Sequence, residues 1–148
     1  MTRPAFTVLA FDFGLKRIGV ASGDTLTGTA APRPALAVTR QGPDWTGIER
    51  ELRELHPQQL VVGAPYNVDG SPGALAPAAR RFAAELEQRF GLPVNMVDER
   101  WSSLEGNAAL KSRRASGERR RRISKEDIDS AAAAVILERW LAGEGSPG

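Results

Sequence analysis

The chain has 148 residues, 41% of them apolar, which is enough for one ordinary domain with a substantial core and too few for a second. With no cysteine and a single histidine, His56, it excludes a disulfide framework, a thiolate zinc site, histidine-rich metal ligation and most histidine-based acid–base schemes. The net charge is only +2, yet Lys111 to Lys125 holds eight Lys or Arg against one acid, Glu118, so this strip carries +7 and leaves −5 on the rest. Such a strip on an acidic body points to a polyanionic partner, nucleic acid more often than a membrane surface.

In chain order, residues 6–13 and 17–23 read as strands joined by a Gly14-Leu15-Lys16 turn. A third strand, 35–40, follows the Gly- and Pro-rich stretch from Gly28 to Pro34. Ile48, Leu52 and Leu55 recur at helical spacing, and His56 before Pro57 suits a cap or the surface. Leu60 to Gly63 reads as a short buried strand. The loop from Gly63 to Gly73, with Pro65, Asn67 and Asp69, is expected as a mobile rim, and no Gly-Lys-Ser/Thr follows to make it a P-loop. Ala74 to Phe90 reads as a helix, Pro93 to Val97 as a strand, and Leu104 to Arg114 and Asp127 to Leu141 as two further helices.

An antiparallel meander followed by right-handed βαβ crossovers predicts an α/β fold, a mixed central sheet with helices on its faces. The expected organisation is one domain over residues 1–142 and a flexible tail over 143–148. The N-terminus has no long apolar region after its charge, and no segment approaches the roughly 18 apolar residues of a membrane span. A soluble cytoplasmic protein is the expectation.

Three carboxylates call for an explanation. Asp12 lies within the apolar run from Phe6 to Phe13, where a bare charge is costly without a partner or an ion. A turn at Gly14 and Lys16 would explain it alone; a divalent ion would explain it together with other acids. Asp98 and Glu99 follow the last strand, at the carboxyl edge where open α/β sheets place their ligands. Being adjacent, they point to opposite faces, and spacing does not choose between them. A solvated turn with Glu99 paired to Arg100 is the plainer alternative. Asp129 shares a helix face with Ala132, Ala133 and Ile136, so it heads a stripe expected to pack on the sheet. Asp127 has a separate role as capping partner of Ser124.

Asp12, Asp98 or Glu99, and Asp129 offer only hard oxygen donors, which select Mg²⁺ or Mn²⁺. Two such ions about 3.5–4 Å apart would activate a water and stabilise the leaving oxygen in phosphodiester cleavage, with no need for a histidine base.

Four runs of residues then carry a family resemblance: Asp12-Phe-Gly-Leu-Lys-Arg-Ile-Gly-Val-Ala21, Val62-Gly-Ala-Pro-Tyr-Asn-Val-Asp-Gly70, Val97-Asp-Glu-Arg100 and Asp129-Ser-Ala-Ala-Ala133. In this order, over nearly the whole chain, they resemble the YqgF family, also called RuvX or Holliday-junction-resolvase-like. The resemblance implies a ribonuclease H-like fold and a cytoplasmic bacterial nuclease of ribosome biogenesis, which processes the 5′ end of pre-16S ribosomal RNA. It places the family's acidic positions on Asp12, Glu99 and Asp129 and matches Arg17 and Arg100 to family positions. Where the family commonly has a Leu-Thr-Thr-like run, this chain has Trp101-Ser-Ser.

The expected nucleic-acid contacts are Lys16, Arg17, Arg100, Trp101, Arg113, Arg114, Arg119, Arg120, Arg121, Arg122 and Lys125. Trp101 could stack on an unpaired base or simply pack at a rim. Arginine dominates the strip, which suits two-pronged phosphate contact, although a solvated loop is the ordinary fate of a charge run. The alternatives to a nuclease acting on RNA, DNA or junctions are a non-catalytic binding factor in ribosome maturation or transcription, a Holliday junction resolvase working as a dimer, and a phosphotransfer enzyme. Asp12-Phe-Gly with Lys16 has a faint likeness to the phosphate loop of actin-like ATPases, but those use two such domains and 148 residues supply one. A monomer and a homodimer are both compatible with the sequence.

Overall fold

The computed structural model describes residues 6–64, 75–98 and 125–143. Six strands and three helices lie within them: β1 (Thr7–Asp12), β2 (Arg17–Asp24), β3 (Ala30–Thr39), β4 (Gly42–Pro43), α1 (Trp45–Leu55), β5 (Gln59–Ala64), α2 (Ala76–Phe90), β6 (Val94–Asp98) and α3 (Lys125–Ala142). The sheet order is β4-β3-β2-β1-β5-β6. β1, β2, β3 and β4 pair antiparallel, whereas β1, β5 and β6 pair parallel. The mixed sheet expected from the alternation of strand and helix signals is therefore present.

Central β1 is buried on both sides, and its alternation divides the core. Leu9 and Phe11 join Ile18, Val20, Leu60 and Val62 under α1 and α2, where Ile48, Phe82 and Leu86 close the layer. Val8, Ala10, Ala21 and Val61 face the other way, onto Ala133, Ile136, Leu137 and Trp140 of α3. Each fully buried Leu, Ile or Phe contributes about 1.5–3 kcal/mol through burial. Phe82 centres the first layer, meeting Phe11 edge-on with centroids 5.7 Å apart and Trp45 at 5.6 Å. The Arg89 guanidinium lies 4.1 Å over the Trp45 ring.

The helix ends follow their sequence signals. Asp44 caps α1, its Oδ1 accepting from the Gly47 N–H at 3.0 Å. His56 terminates that helix in the left-handed conformation, φ 48°, its N–H donating to the Leu52 carbonyl. Glu51 is buried on α1 and is held from β3 by Arg33, whose Nε and Nη2 donate to its two oxygens at 2.8 Å each. Between β2 and β3, Asp24 Oδ1 accepts from the Leu26 and Thr27 N–H groups at 2.9 Å. The Thr27 backbone bond, with smaller help from the Thr27 hydroxyl and the Leu26 N–H, holds this carboxyl below the ordinary carboxylate range.

The starts of β3 and α3 are among the boundaries that differ from the sequence expectation. β3 begins at Ala30, so Pro32 and Pro34 lie inside a strand rather than in a loop. β4 reaches only Val38 and Thr39, so the outer edge of Ala30 to Ala37 faces no other strand among the described residues. An edge tolerates proline because no ladder donor is missed there. β3 also carries one more residue than β2 between the pairs Val20–Arg33 and Ile18–Leu36, a bulge at Pro34 and Ala35. α3 begins at Lys125 rather than Asp127, which puts Asp129 in its second turn. The helix expected over Leu104 to Arg114, the Ser124 cap and the loop after Ala64 lie outside the described residues.

Candidate functional site at the ends of β1 and α3

Asp12 ends β1 between two glycines, Gly19 of β2 on one side and Gly63 of β5 on the other. Val8 and Ala10 belong to the layer under α3, so the two-residue alternation of the strand turns Asp12 to that same side. The carboxylate thus reaches the edge of the α3 layer where the apolar run stops.

Asp129 arrives from the opposite direction. Its face-mates Ala132, Ala133 and Ile136 are fully buried, as the stripe in the sequence predicts. Ser130 fixes the position of this turn, its Oγ accepting from the buried Val20 N–H at 3.3 Å. The approach is so close that a Cβ on Gly19 would run into the Asp129 carbonyl oxygen. A glycine within a strand weakens it, and this one is explained by the passage of the helix backbone. Gly19 is therefore both the cross-strand partner of Asp12 and the seat of Asp129.

Arg17, two residues before Gly19 and on the same side of β2, donates from Nε to Asp129 Oδ2 at 2.8 Å. The side chains are 27% and 30% exposed, so the pair lies at the rim rather than in the core. Lys16 is exposed on the turn before β2, and its carbonyl accepts from the Val38 N–H at 2.9 Å. Leu15 beside it is 66% exposed.

β6 contributes register. Val97 pairs with Gly63 and packs on the α3 layer, while Asp98 pairs with Ala64. Glu99, Arg100, Trp101, Arg113, Arg114 and the Arg119, Arg120, Arg121, Arg122 run lie outside the described residues, and of Lys125 only the backbone start of α3 is described. Among the described residues, no three His, Cys, Asp or Glu side chains gather as a metal cluster. Two of the three expected carboxylates, Asp12 and Asp129, are drawn to one place by backbone geometry. Sequence reasoning missed the roles of Gly19 and Ser130; a glycine inside the otherwise apolar Ile18 to Ala21 run was the available sign of close approach.

Comparisons with known proteins bear on the family and the fold. Residues 6–143 match the family model described as RuvX: Holliday junction resolvase. Over 135 residues the chain is 46% identical to the "Putative pre-16S rRNA nuclease" of Salmonella paratyphi B, covering 91% of this chain and 95% of that protein. The protein of the same name from Salmonella typhi matches with the same identity and coverage. Among solved structures, Thermus thermophilus RuvC in complex with a Holliday junction substrate superposes with a TM-score of 0.53 at 16% identity, over 95% of this chain and 96% of that one. That likeness bears on the fold, which is ribonuclease H-like.

Proposed function

Because the chain belongs to the RuvX family of nucleases, we propose that it hydrolyses phosphodiester bonds of nucleic acid with a divalent metal, and that its substrate is the 5′ end of pre-16S ribosomal RNA. One observation supports the site most strongly: Asp12 and Asp129, far apart in sequence, meet across Gly19 on one side of the sheet. Hard oxygen donors on fixed backbone, with no side chain between them at Gly19, fit Mg²⁺ or Mn²⁺.

Asp12 and Asp129 would hold the ion together with Glu99, the third acidic position that the family resemblance implies. These carboxylates would hold the ion, which would supply activation of a water and stabilisation of the leaving oxygen. Lys16, Arg17 and Arg100 are suited to the phosphates flanking the scissile bond, Trp101 to stacking on an unpaired base, and Arg113, Arg114, Arg119 to Arg122 and Lys125 to the more distant backbone. No helix among the described residues is long and apolar enough to cross a membrane, in keeping with action on ribosomal RNA in the cytoplasm.

Digestion of labelled RNA, DNA and junction substrates with added Mg²⁺ or Mn²⁺ tests the proposal. The wild type should cleave RNA and Asp12→Asn should not. Equal residual cleavage by both would assign the activity to a contaminant and favour a non-catalytic binding factor.

A further inference from the structure

Among the described residues, Arg33 and Arg17 each reach from a strand to carboxylates on a helix, and the two contacts differ in kind. Arg33 grips Glu51 with two nitrogens on two oxygens, and Glu51 is buried, which makes the pair a structural clamp. Arg17 meets Asp129 at one point, Nε to Oδ2, with both side chains partly exposed. A one-point rim pair is weak and easily exchanged. The backbones on either side of it are nonetheless fixed: Arg17 is in register with Ala37 of β3, and the α3 turn is pinned through Ser130 and Gly19. The two side chains can part without any movement of the fold.

The Asp129 carboxylate is the group proposed above to hold a divalent ion, so an arginine and an ion compete for it. We propose that Arg17 is the resident counter-cation of Asp129 in the ion-free protein, and that ion binding releases its guanidinium to a phosphate of the nucleic acid. Arg17 is then a positioning residue that couples metal loading to backbone binding: each favours the other through one side chain with two alternative partners. This inference rests on the nuclease reading of the site, but it makes claims about binding that turnover does not test.

Two sets of measurements decide it, using wild type, Arg17→Gln and the charge-keeping Arg17→Lys. In the first, Mn²⁺ affinity is measured without nucleic acid by electron paramagnetic resonance. Loss of the competing cation should tighten Mn²⁺ binding in Arg17→Gln by about twofold to fivefold, the range a rim pair can supply, with Arg17→Lys closer to wild type. In the second, affinity for a single-stranded RNA is compared in chelator and in Ca²⁺. Wild type and Arg17→Gln should agree within about twofold in chelator, where Asp129 occupies Arg17. In Ca²⁺ the variant should fall behind by about threefold or more, and its log–log salt slope should be lower by about 0.7.

An equal loss of RNA affinity in both buffers would overturn the coupling and leave Arg17 a simple contact. Unchanged or weaker Mn²⁺ binding in Arg17→Gln would overturn the competition while the nuclease reading stands. If wild type binds no Mn²⁺ that Asp129→Asn abolishes, the metal reading fails and this inference with it.

Discussion

Gly19 and Asp129 are in backbone contact: the strand residue has no side chain where the helix residue's carbonyl oxygen passes. Since Gly19 also pairs across the ladder with Asp12, this contact sets the separation of the two carboxylates. Gly19→Ala should push α3 off the sheet, with an overpacking cost of about 1–3 kcal/mol in urea denaturation. Cleavage should fall further than stability explains, because Asp129 moves with the helix. Normal activity at unchanged stability would mean that the approach is not tight.

Asp98 and Glu99 should separate by function. Glu99→Gln is expected to abolish turnover while nucleic-acid binding persists, and Asp98→Asn should retain turnover. Rates of RNA cleavage measured for both variants check this, and the reverse outcome would move the third ligand to Asp98.

For the basic strip, replacing Arg119, Arg120, Arg121 and Arg122 with serine should weaken binding to all sequences and flatten the salt dependence. Each lost phosphate contact removes about 0.7 from the log–log slope on single strands and about 0.9 on duplex. Cleavage should recover at high enzyme concentration. Filter binding across a salt series gives the slope, and an unchanged slope would show that the strip does not touch substrate.

Asp24 supplies a pH dependence away from the site. Its three donors hold the folded carboxyl below its value in the unfolded chain, about 3.8, so the stabilisation is present above that pH and disappears as pH falls through the lower folded value. Asp24→Asn should therefore lower the melting temperature at neutral pH. The difference should close only below about pH 4, as melting curves at a series of pH values would record.

Much of this arrangement was legible in the sequence because it is written in local periodicity. The helical stripe of Asp129, Ala132, Ala133 and Ile136 assigns a face that proved to be buried, whereas β1 is apolar on both sides and its sequence does not say which way Asp12 turns. The start of β3 was not legible, since Pro32 and Pro34 signal a turn unless the strand is known to lie at an edge. Nor was the Arg17–Asp129 pair, because nothing local relates residues 112 apart in the chain. Spacing could not tell Asp98 from Glu99 either, and the choice of Glu99 rests on the family resemblance, since Glu99 lies outside the described residues.

Asp12, Glu99 and Asp129 are proposed to hold one divalent site. Anomalous diffraction from crystals grown with Mn²⁺ tests it most directly. A peak within about 2.0–2.6 Å of oxygens from all three side chains is the predicted result, with Arg17 turned away from Asp129. A peak absent from this place while Mn²⁺ supports cleavage, or one bound through Asp98 instead of Glu99, would contradict the account.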